Sequence, residues 1–286
     1  MKSTPSCLPC YLKQALSAIK EITEDRNSRY EILKKVSRIL PELTMDKTPA
    51  FNSTLILQEV SKITGIKDPF LKKKEYYNQL SLAMYPRLKD MVKNSEDHLE
   101  TATKIAVAGN VIDLGILGEV NLEKSLKEIF TTEFRLNHIK HLKNDLKRLE
   151  KVLYLGDNAG EILFDRILVE EFLKMDKKVI FAVKEAPVLN DATLKDAAEV
   201  ELDTITKVIS TGSDKIGTDL ESCSEEFLDI FYNSDIIISK GQGNFETLNE
   251  ENLNIYFILK AKCDEVANEL GVNMGDIVIV NNKYLN

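Results

Sequence analysis

The sequence contains few of the residues that are typical of disulfide-rich, collagen-like or disordered chains. It contains no Trp, four Cys, twelve Gly and seven Pro among 286 residues. Four cysteines are too few for a disulfide-built chain of this length, and they fit a reducing compartment. The low Gly and Pro content, together with 43% hydrophobic residues, excludes a collagen-like or disordered chain. The composition therefore predicts a folded globular protein, and the length is that of about two domains.

Long apolar runs are also missing. No stretch reaches the roughly 18 consecutive apolar residues of a membrane-spanning helix. The N-terminal segment lacks the apolar centre of a signal peptide. From these two absences we expect a soluble, cytoplasmic protein with no membrane partner.

Positive charge is scarce and unevenly spread. The net charge is −8, with 38 basic and 46 acidic side chains. Residues 1–150 carry 25 basic and 20 acidic side chains, whereas residues 151–286 carry 13 and 26. Nucleic acid is an unexpected partner for such a chain, because phosphate-backbone binding needs a positive face. An anionic substrate held by the second half would need a cation beside it.

The two halves also differ in the spacing of their apolar residues. Up to residue 149, apolar residues recur every three or four positions, which predicts an all-helical domain over 1–149. Asn52 and Ser53 are expected to cap one of these helices, and Gly65 to end it. The predicted helices lie near residues 12–19, 32–40, 54–64, 69–84, 96–109, 124–128 and 138–149.

After residue 149, short β-rich runs alternate with helical segments. Strands are predicted at 152–155, 179–183, 206–209, 235–239, 255–259 and 276–280. Strands that are apolar on both faces and alternate with helices predict a parallel sheet covered by helices, in an α/β domain over 150–286. Ligands bind such sheets at the carboxyl ends of the strands, so the residues after each strand are the first candidates for chemistry.

Oxygen-bearing side chains follow the first predicted strand. Asp157, Asn158 and Glu161 lie in a glycine-containing turn directly before a helix. This turn is neither a dinucleotide fingerprint nor a P-loop, because the required glycine and lysine spacings are missing. Carboxylate and amide oxygens suit Mg²⁺, Mn²⁺, Co²⁺ or Ni²⁺. The alternative is an ordinary Asp/Asn turn with an acidic residue at the helix start.

Two further strand ends carry polar residues. Asp191 follows the second strand, where it could complete a metal site or serve as a helix N-cap. Lys240 ends the fourth strand and is followed by Gly241, Gly243 and Asn244, a set that could cradle a phosphate. We expect Lys240 to need an anion, because a buried lysine must offset its desolvation. Together these strand ends predict metal-dependent phosphoryl chemistry on a small-molecule phosphate ester.

Five segments carry a family resemblance. They are residues 109–113 (GNVID), 155–161 (LGDNAGE), 186–191 (APVLND), 240–246 (KGQGNFE) and 262–263 (KC). In these segments the chain resembles the damage-control phosphatase family, long catalogued as a domain of unknown function. The segments span both halves, so the resemblance covers nearly the whole chain. It implies an N-terminal helical domain followed by a Rossmann-like α/β domain with a mainly parallel sheet.

The resemblance also implies an activity and a set of site residues. Family members hydrolyse phosphate monoesters such as sugar phosphates or damaged metabolites, supported by Mn²⁺, Co²⁺, Ni²⁺ or Mg²⁺. By that likeness Asp157, Asn158 and Asp191 ligate the metal, and Lys240 contacts the phosphate. Asp157 and Lys240 are then the expected catalytic residues. The expected substrate-binding residues are Glu161, Asn110, Asp113, Gly241, Gly243 and Asn244.

Asn110 and Asp113 follow an apolar helix and flank Gly109. In the family the same segment faces the active-site cleft, which is why both are expected on the substrate side. The alternative is a helix C-cap at Gly109, with Asn110 tolerating the turn.

The Cys7-Leu8-Pro9-Cys10 segment looks like the Cys-x-x-Cys of the mostly prokaryotic subgroup of the family. One such motif is half of a zinc site, and Cys263 or Cys223 could supply a third thiolate. A secondary metal site, a redox pair and a reduced structural pair are all open for Cys7, Cys10 and Cys263.

Two other functions fit the same fold. A phosphometabolite-binding module would hold its ligand without turnover. A methyltransferase using S-adenosylmethionine would need Glu185, after the second strand, to hold the ribose. That alternative leaves Lys240 without a role, whereas phosphatase chemistry gives it one.

Overall fold

A computed structural model describes residues 1–111 and 133–285, with side chains described for 1–109 and 133–285. The helix predicted at 124–128 lies outside these residues. The helices before the main sheet are α1 (Cys7–Ile22), α2 (Arg26–Val36), α3 (Pro49–Thr64), α4 (Leu71–Lys93), α5 (His98–Val111) and α6 (Ile139–Leu146). A short 3₁₀ helix, Ser37–Glu42, follows α2 and contains Pro41.

Helix α3 shows how local signals set an element's ends. Thr48 is its N-cap, with a side chain that accepts a hydrogen bond from the backbone N–H of Phe51 at 3.1 Å. The predicted cap at Asn52 and Ser53 is wrong by one turn, because both residues are buried inside the helix. The predicted end is confirmed: Gly65 adopts a left-handed conformation, with φ of 73°, that glycine tolerates.

The sheet has seven strands within the described residues. They are β1 (Leu136–Asn137), β2 (Lys151–Leu155), β3 (Lys178–Val183), β4 (Lys207–Ser210), β5 (Ile236–Lys240), β6 (Ile255–Lys260) and β7 (Ile277–Asn281). The helices between and after them are α7 (Glu161–Lys174), α8 (Leu194–Glu199), α9 (Glu225–Tyr232), α10 (Gln242–Leu248) and α11 (Asp264–Leu270). All six predicted strands are present, each within a residue or two of its predicted bounds.

The strand order across the sheet is β1, β7, β6, β5, β2, β3, β4. Strands β2 to β6 are parallel, whereas β7 runs antiparallel to β6 and pairs in parallel with β1. The expected parallel sheet is thus confirmed for β2 to β6, whereas β7 and the edge strand β1 run in the opposite direction. Strand β1 is a correction, because it lies in the half expected to be wholly helical. Strand β2 has β3 on one side and β5 on the other. The chain adds β3 and β4 on one side of β2 and then crosses to the other side to form β5, so the strand order reverses between β2 and β5.

Both faces of the sheet are covered, which explains the apolar strand sequences. Val152 and Tyr154 of β2 face the core formed with α4 to α8, whereas Leu153 and Leu155 face the core formed with α9 to α11. The first three helices have a smaller core of their own. Helices α4, α5 and α6 share the main core with the sheet, so that core extends across residue 149. The domain boundary at that residue stays a prediction.

None of the helices in the described ranges combines the length and apolar character of a membrane span.

Candidate functional site

Two loops at the carboxyl ends of neighbouring strands are paired by backbone hydrogen bonds. Ala192 N–H donates to the carbonyl of Asp157 at 2.8 Å, and Ala159 N–H donates to the carbonyl of Asn190 at 2.9 Å. These bonds set Asn158 opposite Asp191. The loops after β2 and β3 therefore bring the three predicted metal ligands, Asp157, Asn158 and Asp191, to one place.

Gly241 lets the loop after β5 join this group. It adopts φ of +82°, and a Cβ placed on it would lie 2.0 Å from Oδ2 of Asp157. No side chain fits there without displacing the carboxylate. Asp157 thus lies against the start of α10, at the point where the strand order reverses. Ligands of open α/β sheets bind at such a point.

Burial and neighbouring negative charge disfavour the ionised forms of these carboxyl groups when no cation is bound. Burial raises the pKa of Asp157 well above its usual value, and the charges of Glu161 and Asp191 raise it further. Burial also raises the pKa of Asp191 to about 6, although the nearby Lys184 opposes this shift. Asn158 donates to Asp157 Oδ2 at 2.9 Å and to Glu161 Oε2 at 3.0 Å. The acidic cluster favours either a proton or a bound cation.

The donor set fits a hard divalent ion. It consists of two carboxylates and an amide, with no sulfur or imidazole. Across the described part of the chain, no three His, Cys, Asp or Glu side chains are gathered closely enough to hold a metal by themselves. A metal bound by Asp157, Asn158 and Asp191 would thus depend on the amide and on ligands from outside the chain.

Lys240 lies beneath this group and is fully buried. Its ammonium donates to the carbonyl of Ala106 at 2.8 Å, to Glu161 Oε1 at 2.7 Å and to Asp165 Oδ1. A lysine has three N–H donors, and all three are used. Tyr154 also donates to Asp165 Oδ1, at 2.7 Å.

The expectation of a phosphate at Lys240 rested on the need of a buried lysine for an anion. A buried lysine does need an anion, but Glu161 and Asp165 supply that anion from within the protein. The two carboxylates raise the pKa of Lys240 although burial opposes the shift. Burial, by contrast, raises the pKa of Asp165 to about 7 against the pull of Lys240. Direct contact between Lys240 and a phosphate stays a prediction, and such contact would cost at least one of these bonds.

The other residues expected on the substrate side have mixed positions. Glu161 is 2% exposed and is bound to Lys240 and Asn158. Asn244 is also buried: it donates to the carbonyl of Lys240 at 2.8 Å and accepts from the hydroxyl of Thr218 at 2.8 Å. Both side chains hold the strand ends together and are largely withdrawn from solvent.

Gly243 lies on the wall of the neighbouring cleft. The backbone of Asn110 belongs to α5, and its side chain is not among those described. Asp113 lies outside the described residues. The substrate-side roles of these three residues stay predictions.

A cleft of about 490 Å³ opens beside the acidic group, between the N-terminal helices and the carboxyl edge of the sheet. Its walls include Cys7, Cys10 and Lys13 of α1, Asp157, Asn158 and Asp191 from the sheet loops, and Glu246, Lys262 and Cys263. Lys240 and Glu185 are not on its walls. The three cysteines that were grouped from the sequence thus share one cavity with the predicted metal ligands.

Lys262 is the lysine on the cleft wall whose charge acts on the acidic group. Its side chain is exposed, and its charge lowers the pKa values of Asp157, Glu161 and Asp191 against the effect of burial. In the sequence, Lys262 stands out only as part of a short family segment, residues 262–263. It follows the fifth predicted strand, which places it at the same edge of the sheet as the other candidates.

Lys184 is a second lysine that the sequence analysis missed. It follows β3, is 4% exposed, lies 3.8 Å from Asp191 Oδ2 and donates to the carbonyl of Gly217. The signal was present in the sequence, because Lys184 ends an apolar strand in the same way as Lys240. Its position beside Asp191 makes it a structural counter-ion of the predicted metal ligand.

Comparison with known proteins gives consistent matches over the full chain. The family model described as the damage-control phosphatase ARMT1-like domain matches residues 3–278. An uncharacterized protein of Methanocaldococcus jannaschii is 40% identical over 98% of this chain and 95% of its own. A Pyrococcus horikoshii protein named a damage-control phosphatase is 37% identical over 99% of both chains. A crystal structure of a DUF89 family protein from Pyrococcus horikoshii covers 99% of both chains with a TM-score of 0.89 and 36% identity.

Proposed function

The chain belongs to the damage-control phosphatase ARMT1-like family, and from that premise we propose that it is a metal-dependent phosphatase that hydrolyses phosphate monoesters of small metabolites. Sugar phosphates and damaged phosphorylated metabolites are the substrate class that we propose. The observation that carries the proposal is the meeting of Asp157, Asn158 and Asp191 at the reversal point of the sheet, on the wall of an open cleft.

Asp157, Asn158 and Asp191 would hold the divalent ion. The raised pKa values of Asp157 and Asp191 support this assignment, because burial and mutual repulsion disfavour two free carboxylates. A bound divalent ion supplies charge that polarises a phosphoryl oxygen and lowers the pKa of a bound water. Lys184, beside Asp191, favours the ionised form of that carboxylate against the effect of burial.

Lys262 is proposed to bind the phosphate, since it is the exposed cation on the cleft wall whose charge reaches the acidic group. An ammonium near the transferring phosphoryl group would stabilise the charge that develops there. Lys240 is proposed to act as a positioning residue. It fixes Glu161, and through Glu161 it fixes the amide of Asn158.

The direct test is hydrolysis of a panel of sugar phosphates and p-nitrophenyl phosphate by protein stripped with EDTA. We expect no turnover without metal and restored turnover with Mn²⁺, Co²⁺, Ni²⁺ or Mg²⁺. Full activity in metal-free protein would contradict the metal dependence. Metal binding without hydrolysis of any ester would favour the binding-module function instead.

The Asp157→Asn variant separates a functional role from a structural one. The change removes a carboxylate whose ionisation the fold disfavours, so the metal-free variant should unfold at the same temperature as the wild type or higher. Its turnover should fall by about a hundredfold or more. Mn²⁺ should raise the melting temperature of the wild type but not of the variant.

Asp90→Asn, on the exposed face of α4, is the matched control. Lower stability with proportional loss of activity would make Asp157 structural.

A further inference from the structure

Three of the four cysteines face the cleft from two distant parts of the chain. Cys7 and Cys10 belong to the first turns of α1, and Cys263 immediately precedes α11. All are free thiols. Cys223 is free as well but is not on the cleft wall, and its thiol donates to the carbonyl of Asp219 at 3.4 Å. The cleft therefore brings together thiols that are not neighbours in sequence.

Cys10 and Cys7 are not equivalent. Cys7 is 8% exposed, packs with Tyr11 in the core of the N-terminal helices, and lies 3.7 Å from the hydroxyl of Thr4. Cys10 is exposed. Partial burial raises the pKa of the Cys10 thiol, and the neighbouring Cys263 and Cys7 raise it further. Cys263, on the far side of the cleft, thus acts on the Cys10 thiol, as does Cys7, its partner in the Cys-x-x-Cys motif.

The surroundings of Cys263 are polar. Gln242 donates one amide hydrogen bond to Cys263 Sγ at 3.5 Å and another to Glu246 Oε1 at 2.9 Å. Burial raises the pKa values of the Cys10 and Cys263 thiols, and the charge of Glu246 raises both further. Cys263 is half-buried, and its thiol remains on the cleft wall. These contacts orient the sulfur without sealing it in a hydrophobic core.

We propose that Cys10 and Cys263 are a thiol pair that a small disulfide, such as glutathione disulfide, oxidises to an intramolecular disulfide across the cleft. The Cys10 thiolate attacks one sulfur of the oxidant, forming a mixed disulfide and releasing one glutathione, which takes the proton that Cys10 lost. The Cys263 thiolate then attacks the Cys10 sulfur and releases the second glutathione, which takes the proton of Cys263. Two protein thiols are oxidised and one disulfide oxidant is reduced to two thiols.

The bond would close the cleft. A disulfide requires a sulfur–sulfur distance of about 2 Å and Cα atoms about 4.4–6.8 Å apart. It would therefore fasten α1 to the loop after β6, and both of these elements line the cleft together with Asp157 and Lys262. We expect oxidation to lower turnover by about tenfold or more, because substrate must enter between these walls. This effect on turnover rests on the proposed phosphatase function, whereas formation of the bond does not.

The decisive measurement is peptide mass spectrometry of the full-length protein after equilibration with glutathione disulfide at pH about 9, chosen because burial raises the pKa values of both thiols. We expect a peptide pair linked through residues 10 and 263, lost on reduction. It should be absent from Cys10→Ser and Cys263→Ser, and retained in Cys7→Ser and in the matched control Cys223→Ser. A Cys7–Cys10 disulfide, mixed glutathione disulfides alone, or a stoichiometric zinc ion that blocks the reaction would overturn the proposal.

Activity is measured on the same samples before oxidation, after oxidation and after reduction. The oxidised-to-reduced ratio within each variant is the readout, so any effect of a substitution on basal turnover cancels. We expect the ratio to be about 0.1 or less for wild type and Cys223→Ser, and close to one for Cys10→Ser and Cys263→Ser. A 10–263 bond that leaves the wild-type rate unchanged would overturn the closure. Absence of phosphatase activity in every reduced sample would reject the proposed function and leave the mass measurement valid.

Discussion

Two clusters of lysine and carboxylate lie at the same edge of the sheet and differ in one respect. In the closed cluster, Lys240 is bound by Glu161 and Asp165 and has no exposed surface. In the open cluster, Lys262 lines the same cleft as Asp157 and Asp191, and its charge lowers the pKa values of both carboxyls. Both clusters combine carboxylates with a lysine at or after a strand end, and the open cluster also contains the buried Lys184 beside Asp191. The difference is that only the open cluster retains a cation available to a ligand.

The comparison shows that the chemistry of a strand-end lysine depends on its acceptors. A buried lysine whose three donors are all used stabilises the fold around the site. An exposed lysine near unbalanced carboxylates has donors for an incoming anion. The two clusters touch through Glu161, which is bound to Lys240 on one side and to Asn158 on the other. The closed cluster thus forms the rigid base of the open one.

The largest expected effect is on stability, in the Lys240→Met variant. Removing the ammonium leaves Glu161 and Asp165 buried without their counter-ion, which typically costs about 3–5 kcal/mol of unfolding free energy. Chemical denaturation of the metal-free protein measures this loss. The exposed Lys195→Met variant, which breaks the surface pair with Glu75, is the matched control and should change stability little.

Adding Asp165→Asn to Lys240→Met should recover part of the lost stability, because one uncompensated charge is removed. A Lys240→Met protein that is as stable as the wild type yet turns over orders of magnitude more slowly would instead place Lys240 in contact with the phosphate. The comparison between a closed and an open cluster would then fail.

The next effect is on catalysis, in the Lys262→Gln variant. We expect kcat/KM to fall by about 10–100-fold through loss of a charge partner for the phosphoryl group. Thermal stability should not change, because the side chain is exposed. Lys151→Gln, at the opposite end of β2, is the matched control in steady-state kinetics. Wild-type kcat/KM in Lys262→Gln would remove this lysine from phosphate binding.

The smallest effect concerns Glu246, a carboxyl on the cleft wall outside both clusters. Burial raises its pKa from the ordinary 4.5 to about 7. The folded protein therefore holds a proton that the unfolded chain releases, so this residue makes the unfolding free energy fall as pH rises from about 4.5 through 7. The loss is at most about 3 kcal/mol.

Glu246→Gln should flatten that slope in denaturation curves recorded between these pH values, with the exposed Glu225→Gln as the matched control. An unchanged slope in Glu246→Gln would show that Glu246 ionises normally in the folded protein.

The α/β half of the fold was predictable because its signals are local. Strands β2 to β7 are continuous apolar runs, and alternation with helices is enough to predict that they form one covered sheet. The antiparallel direction of β7 was not predictable, since an apolar run reads the same in both directions. Strand β1, at Leu136–Asn137, was missed because two residues leave no periodicity, and it is pairing with the distant β7 that defines them as a strand.

The sequence by itself determined which residue types stand at the strand ends: Asp157, Asn158 and Asp191, with Lys240 after β5. It determined this because strand ends are marked by the switch from apolar runs to glycine and polar residues. Only the tertiary structure decided which of these groups face a cleft and which face one another. Burial and hydrogen-bond pairing are properties of surrounding elements, such as Ala106 on α5, that are distant in the chain. That is why Lys240 became a structural ion pair, while Lys262 and the cysteine thiols came to lie on the cleft wall.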